Sequence, residues 1–188
     1  PVEHIKVAFA LAYKIEHSFI IEMLVMYRDE IPAKYIAPAL TYASGKGCIS
    51  IVERILSKRT DISDKDIRCA FKLAAQHGHL YIVEFILNNR TVIVAEDVGF
   101  AVMKASENGH FPIVRFILSN RTDVAAEAVG FALGRAAFKD DLNMVDFILC
   151  HRADINSKDI FSAIEKAQKK GHTSLAEYIK SWHRQSFK

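Results

Sequence analysis

Residues 74–87 read Ala74-Ala75-Gln76-His77-Gly78-His79-Leu80-Tyr81-Ile82-Val83-Glu84-Phe85-Ile86-Leu87. The pattern returns 31 positions later as ASENGHFPIVRFIL from Ala105, and after another 31 as AAFKDDLNMVDFIL from Ala136. Stepping backwards by the same interval gives ASGKGCISIVERIL from Ala43 and AYKIEHSFIIEMLV from Ala12; forwards, AQKKGHTSLAEYIK starts at Ala167. A period of 31 without insertion divides the chain into six units, 5–35, 36–66, 67–97, 98–128, 129–159 and a shortened 160–188, which we read as one repeat domain over 1–188. Fixed periods of this size mark solenoids, in which a single unit cannot bury its apolar face and stacking on neighbours supplies the core.

The columns of this alignment predict two helices per unit. Ile5, Ile36, Ile67, Val98, Val129 and Ile160 are followed three residues on by Ala8, Ala39, Ala70, Ala101, Ala132 and Ala163, and four further by Ala12, Ala43, Ala74, Ala105, Ala136 and Ala167. Positions i, i+3 and i+7 share one helix face. Two columns restricted to Ala mark close approach of neighbouring first helices, with Phe9, Leu40, Phe71, Val102, Leu133 and Ile164 filling the space beside them. A glycine column (Gly47, Gly78, Gly109, Gly171), broken by Glu16 and Asp140, precedes the second helix, whose stripe runs Ile51-Val52, Ile55-Leu56 and so on. Pro112 is expected in the first turn of a second helix and Pro38 in the first turn of a first helix, where a missing N–H costs little. Ser63 and Asn156, each followed by an acid three residues on, read as N-caps. No segment alternates at period two, so no strand is expected.

Composition narrows the function. In 188 residues, 51% are hydrophobic and 25% charged, an ordinary globular mixture. The formal charge of +3 is smaller than a dedicated nucleic-acid domain usually carries. The longest apolar run, Phe19 to Met26, is interrupted by Glu22 and falls short of the roughly 20 residues a membrane span needs. Three cysteines, Cys48, Cys69 and Cys150, with no close pairing point to a reducing, intracellular compartment rather than a disulfide framework or zinc cluster. The opening Pro1-Val2-Glu3-His4 has neither signal-peptide character nor an initiator Met, and we expect an excised piece of a longer protein.

The string LAAQHGHLYIVEFILNNRT and its sisters resemble the ankyrin repeat, matching its "LAA…GHL..IV..LL" core at Leu73 to Leu87 and its "DV" at Asp123-Val124 and Asp154-Ile155. The resemblance covers about 184 of the 188 residues. It implies an all-α, ankyrin-like solenoid of six stacked helix-turn-helix repeats. The period is 31 here against 33 in the family, and the deficit falls in the linker that forms the family's β-hairpin finger. Short or absent fingers, and a first helix lengthened at its N-terminal end, are therefore expected. The shortened form resembles arrays of intracellular bacteria and large DNA viruses that engage host proteins.

No residue set points to catalysis. None of Cys48, Cys69 and Cys150 has a His and an acid beside it that break the phase of the repeat, and Gly45-Lys46-Gly47 reads as the repeat's turn rather than a phosphate loop. His79, His110 and His172 are whole units apart, and His77 and His79 lack a third ligand. The chain is thus expected to be no enzyme and to need no metal or cofactor. The ladder Arg28, Arg59, Arg90, Arg121, Arg152, ending in His183, is read as cations just past helix C-termini, facing unsatisfied carbonyls. It could alternatively bind an acidic partner. Lys158, Lys166, Lys169, Lys170, Lys180, Arg184 and Lys188 make the last unit basic, which fits a capping repeat better than a nucleic-acid or membrane site. Phe19, Met26 and Tyr27 leave an apolar surface on the first unit, which implies an upstream repeat or a partner.

The expected function is protein–protein binding on the concave face, in the manner of a host-directed effector. The alternative is a targeting domain of a larger enzyme or secreted effector. The resemblance places the contact columns at Arg68, Lys72, Gln76 and His77; Gly99, Met103, Glu107 and Asn108; and Gly130, Gly134, Phe138 and Lys139. They vary in kind from unit to unit, as a tuned surface should. The helical glycines among them are expected either to floor a shallow trough beside Met103 and Phe138 or to relieve crowding between first helices.

Overall fold

The computed structural model describes residues 4, 7–9, 11–12, 17–27, 31–152 and 154–186. Arg28 lies outside them, as do the side chains of Met26 and Tyr27. The described residues form helices and short connections with no strand, so no β-hairpin finger is built in the described linkers. Two compact units are present, one ending at Ile93 and one beginning at Val94.

The first unit contains α1 (Ser18–Tyr27), α2 (Ala33–Lys46), α3 (Ile49–Lys58), α4 (Asp64–His77) and α5 (Leu80–Asn89). First helices α2 and α4 lie against each other, second helices α1, α3 and α5 form a neighbouring row, and each first helix also packs on its own second helix. The second unit repeats the plan with α6 (Ala95–Asn108), α7 (Phe111–Asn120), α8 (Ala126–Phe138), α9 (Leu142–His151), α10 (Ser157–Lys169) and α11 (Thr173–Ser186). There α8 sits between α6 and α10.

The sequence sets each boundary by local chemistry. Ser63 Oγ accepts from the Asp66 N–H at 3.2 Å, and Asn156 Oδ1 accepts from the Asp159 N–H at 2.9 Å, which supplies two helix starts with partners for otherwise orphaned donors. Gly47, Gly78 and Gly109 end first helices with φ of +78°, +86° and +83°, a region where a side chain would be strained. Asp140 takes the equivalent place in the fifth repeat with φ +59°, so the column preserves a backbone conformation even where it loses its glycine. Pro112 falls in the first turn of α7 as expected. Pro38 does not fall in a first turn: α2 begins at Ala33, with Pro32 as its N-cap, which leaves Pro38 inside the helix. Its missing N–H removes one helical hydrogen bond to Lys34.

Packing follows the columns. Ala39, Ala70, Ala101, Ala132 and Ala163 are fully buried, as are Ala43, Ala74, Ala105, Ala136 and Ala167. A bare Cβ at these places lets backbones come close enough for dispersion contacts along whole helices. The linkers are held too: Ile31, Ile62, Ile93, Val124 and Ile155 are all buried, one β-branched anchor per repeat.

Candidate functional site

In the first unit the candidate residues lie along α4. His77 is exposed, whereas Arg68, Lys72 and Gln76 are half-buried. Alongside, Lys34, Ala37, Pro38, Thr41 and Tyr42 of α2, with Asp66 of α4, surround an open depression of about 600 Å³. Thr41 Oγ1 donates to the Ala37 carbonyl at 3.1 Å, which folds the hydroxyl back onto the helix.

In the second unit Met103, Glu107 and Asn108 stand exposed on α6, and Phe138 and Lys139 lie at the end of α8. Lys104 Nζ meets Glu107 Oε2 at 2.7 Å and holds that carboxyl below the usual glutamate range, chiefly through the hydrogen bond. Arg135 Nη2 donates to the Glu107 carbonyl at 2.9 Å and so joins α8 to α6. The Phe138 ring is flanked by two cations, Lys170 Nζ at 4.4 Å and the Arg135 guanidinium at 5.1 Å from its centroid. An aromatic face stabilises such cations by about 0.5–1 kcal/mol at exposed sites.

The helical glycines serve different ends. A Cβ on Gly99 would lie 3.7 Å from the Ala128 Cβ, an ordinary contact, and above this pair opens an apolar trough of about 360 Å³ lined by Ala95, Glu96, Phe100, Met103, Ala125 and Glu127. At Gly130 a Cβ would come within 2.4 Å of Asp159 Cγ, and at Gly134 within 2.5 Å of Lys166 Nζ. Those two glycines accept side chains from α10. The trough therefore lies beside Met103 toward the N-terminal ends of α6 and α8, and does not include Phe138. Crowding against α10 accounts for Gly130 and Gly134, whereas at Gly99 packing leaves room for a Cβ.

The arginine ladder reaches further than its own helices. Arg59, Arg90, Arg121 and Arg152 are C-caps in extended conformation. Arg59 Nη1 donates to the carbonyl of the linker anchor Ile31 at 2.7 Å, and Arg152 Nη2 to that of Val124 at 2.7 Å; Arg90 donates to the Leu56 carbonyl. The carbonyls belong to the preceding repeat rather than to the arginine's own helix. The same guanidinium of Arg59 and of Arg152 forks onto Asp61 and Asp154, and Arg121 forks onto Asp123, with closest contacts of 2.6 Å. Hydrogen bonding from each arginine holds these carboxyls below the ordinary aspartate range. His183, at the ladder's end, has Nε2 3.3 Å from Ser157 Oγ.

Two "GH" histidines act similarly. His79 Nε2 lies 3.0 Å from the Gly45 carbonyl and His172 Nε2 3.3 Å from the Phe138 carbonyl, so each braces the end of the preceding first helix. His77 and His79 have ring centroids 6.5 Å apart, and no group of three or more His, Cys, Asp or Glu among the described residues is placed to hold a metal ion. Cys150 is exposed, with Sγ 3.6 Å from Asp146 Oδ1; slight desolvation, then that carboxylate, push the thiol up, opposite to the activation a nucleophile needs. The Tyr178 hydroxyl donates to the same Asp146 and is pushed up to about 12, first by that bond and then by partial burial. No helix among the described residues is long and apolar enough to cross a membrane.

The linker anchors are what the sequence reading missed as core. Their signal was available, because Ile31, Ile62, Ile93, Val124 and Ile155 recur at the same 31-residue period. Among known families, a family model described as ankyrin repeats, in three copies, matches residues 71–159. No curated protein matches the chain.

Proposed function

Because residues 71–159 match a model of the ankyrin repeat, a family whose members generally bind other proteins, we propose that the chain is a protein-binding module whose contact face is carried by its first helices. The six units act in this reading as one repeat domain over 1–188. The observation that carries the proposal is a contrast within each first helix. The buried Ala columns repeat without variation, while the outward residues Lys72, Met103 and Glu165 of a neighbouring column differ in chemical kind, with buried Gly134 in the fifth repeat. A frame held constant beneath a surface that varies is what recognition requires and what a core does not. Arg68, Lys72, Gln76 and His77 supply the contact in the first unit, and Met103, Glu107, Asn108, Phe138 and Lys139 in the second.

The experiment compares capture by the parent chain, by Met103→Ala/Phe138→Ala, and by Tyr81→Ala on the exposed surface of a second helix. Circular dichroism establishes that all three fold. Loss of the captured protein with the first variant and retention with the second supports the face; equal capture by all three refutes it. That Cys48, Cys69 and Cys150 form no disulfide among the described residues agrees with a reducing, intracellular site of action, including delivery into a host cytoplasm. A second reading, the targeting part of a larger enzyme or effector, is favoured by exposed Val7, Leu11, Phe19 and Met23 in the first unit.

A further inference from the structure

The trough on the second unit is specific enough in shape and charge to name its occupant. Its floor is Gly99 and Ala128, and its apolar walls are Phe100 and Met103, which remain 43% and 40% exposed although they are large hydrophobic side chains. The two ionisable lining residues are both acidic, Glu96 and Glu127, and both are exposed. Some 360 Å³ lies at the small end of ligand-sized cavities, enough for one large side chain and its backbone rather than for a folded element. The glycine is the telling choice. A Cβ at residue 99 would meet only an ordinary contact with Ala128, so packing does not demand its absence. Glycine inside a helix nevertheless costs up to about 1 kcal/mol against alanine. Its retention deepens the floor by a methyl group.

We infer that this trough takes one aromatic or large aliphatic side chain of a partner polypeptide, flanked in the partner sequence by Lys or Arg residues that meet Glu96 and Glu127. The inference rests on the protein-binding reading above and adds the chemistry of the bound segment. Apolar burial supplies the affinity, because anchors in pockets dominate interfaces. The carboxylates supply selection: an acidic flanking residue meets like charge, and a basic one meets two partners. Acids in a first helical turn also stabilise the helix itself, so the test must separate that role from recognition.

The probes are three short peptides, acetyl-Lys-Trp-Lys-amide, acetyl-Glu-Trp-Glu-amide and acetyl-Lys-Ala-Lys-amide, titrated into the full chain carrying ¹³C-methyl methionine. The Met103 methyl reports the trough, and the Met144 methyl, buried on α9, reports the fold. Saturable shifts of Met103 are expected with Lys-Trp-Lys and none with Lys-Ala-Lys. Binding of Glu-Trp-Glu should be about two- to thirtyfold weaker, the range for two exposed charge pairs. Glu96→Lys/Glu127→Lys should invert the preference between the two Trp peptides while the Met144 signal stays in place. Equal affinity for both Trp peptides, unchanged preference in the double variant, or no Met103 shift with any peptide overturns the inference. These outcomes need no natural partner, so they are distinct from failure of the protein-binding face, which is read by capture.

Discussion

Replacing three glycines on the first helices by alanine should give three different outcomes. Each substitution removes backbone freedom from the unfolded chain and brings the same helix-propensity gain, about 0.5–1 kcal/mol. The added Cβ decides the rest. At Gly99 it rests 3.7 Å from the Ala128 Cβ, and the full gain should survive. At Gly134 it meets Lys166 Nζ at 2.5 Å but Lys166 Cδ only at 3.3 Å, so the flexible end swings away and most of the gain remains. At Gly130 it meets Asp159 at Cγ, Oδ2 and Cβ, at 2.4, 2.5 and 2.8 Å. Asp159 is short and rooted in the first turn of α10, with its own N–H bound to Asn156, so it cannot retreat without moving the helix. Overpacking of this kind costs about 1–3 kcal/mol and outweighs the propensity gain. Urea unfolding at neutral pH should rank Gly99→Ala as the most stable, then Gly134→Ala, then Gly130→Ala, the last below the parent. In a chain of this length each kcal/mol moves Tm by about 2–4 °C. Adding Asp159→Ala to Gly130→Ala should recover part of the loss, a coupling that a double-mutant cycle measures. Gly130→Ala as stable as Gly99→Ala would refute the reasoning.

Arg152→Lys should lower stability by about 1–2 kcal/mol in urea unfolding, because an ammonium cannot fork onto Asp154 and also reach the Val124 carbonyl. Asp61, Asp123 and Asp154 are held below the ordinary aspartate value, so the unfolded chain binds their protons first as acid is added. The stability they contribute is complete above about pH 3.9 and is lost as pH falls below it. Urea midpoints at pH 7, 4 and 3 should show this fall, and replacing the three by Asn should flatten it. Asp140→Gly should raise stability by up to about 1 kcal/mol in thermal unfolding, by relieving a left-handed backbone at φ +59°.

The periodic parts of the fold were legible because repetition averages out local ambiguity. The Ala columns, the glycine turns and the Ser63 and Asn156 caps each announce themselves several times or through a short-range pattern. Pro38 was misplaced because its position depends on where one particular helix starts, and Pro32 moved that start upstream. The arginines could be placed on helix ends from spacing, but their acceptors lie 28 or more residues back, a relation set by stacking and invisible to local periodicity. The glycines show the same limit. Gly99 and Gly130 occupy one column and look alike in sequence, yet the side chain one repeat on is Ala128 for the first and Asp159 for the second.

The arginine and histidine braces share a property with consequences for how such a chain changes over generations. Arg59, Arg90, Arg152, His79 and His172 all reach acceptors on the main chain of the preceding repeat: the carbonyls of Ile31, Leu56, Val124, Gly45 and Phe138. A main-chain carbonyl is present whatever residue occupies the position. The donor therefore finds its acceptor without any matched substitution next door. Duplication or deletion of one 31-residue block brings a donor onto an equivalent carbonyl at the new junction, and outward positions are free to diverge at once. Length and specificity of the array can thus be altered separately, by copying and by point substitution, without re-inventing the joint.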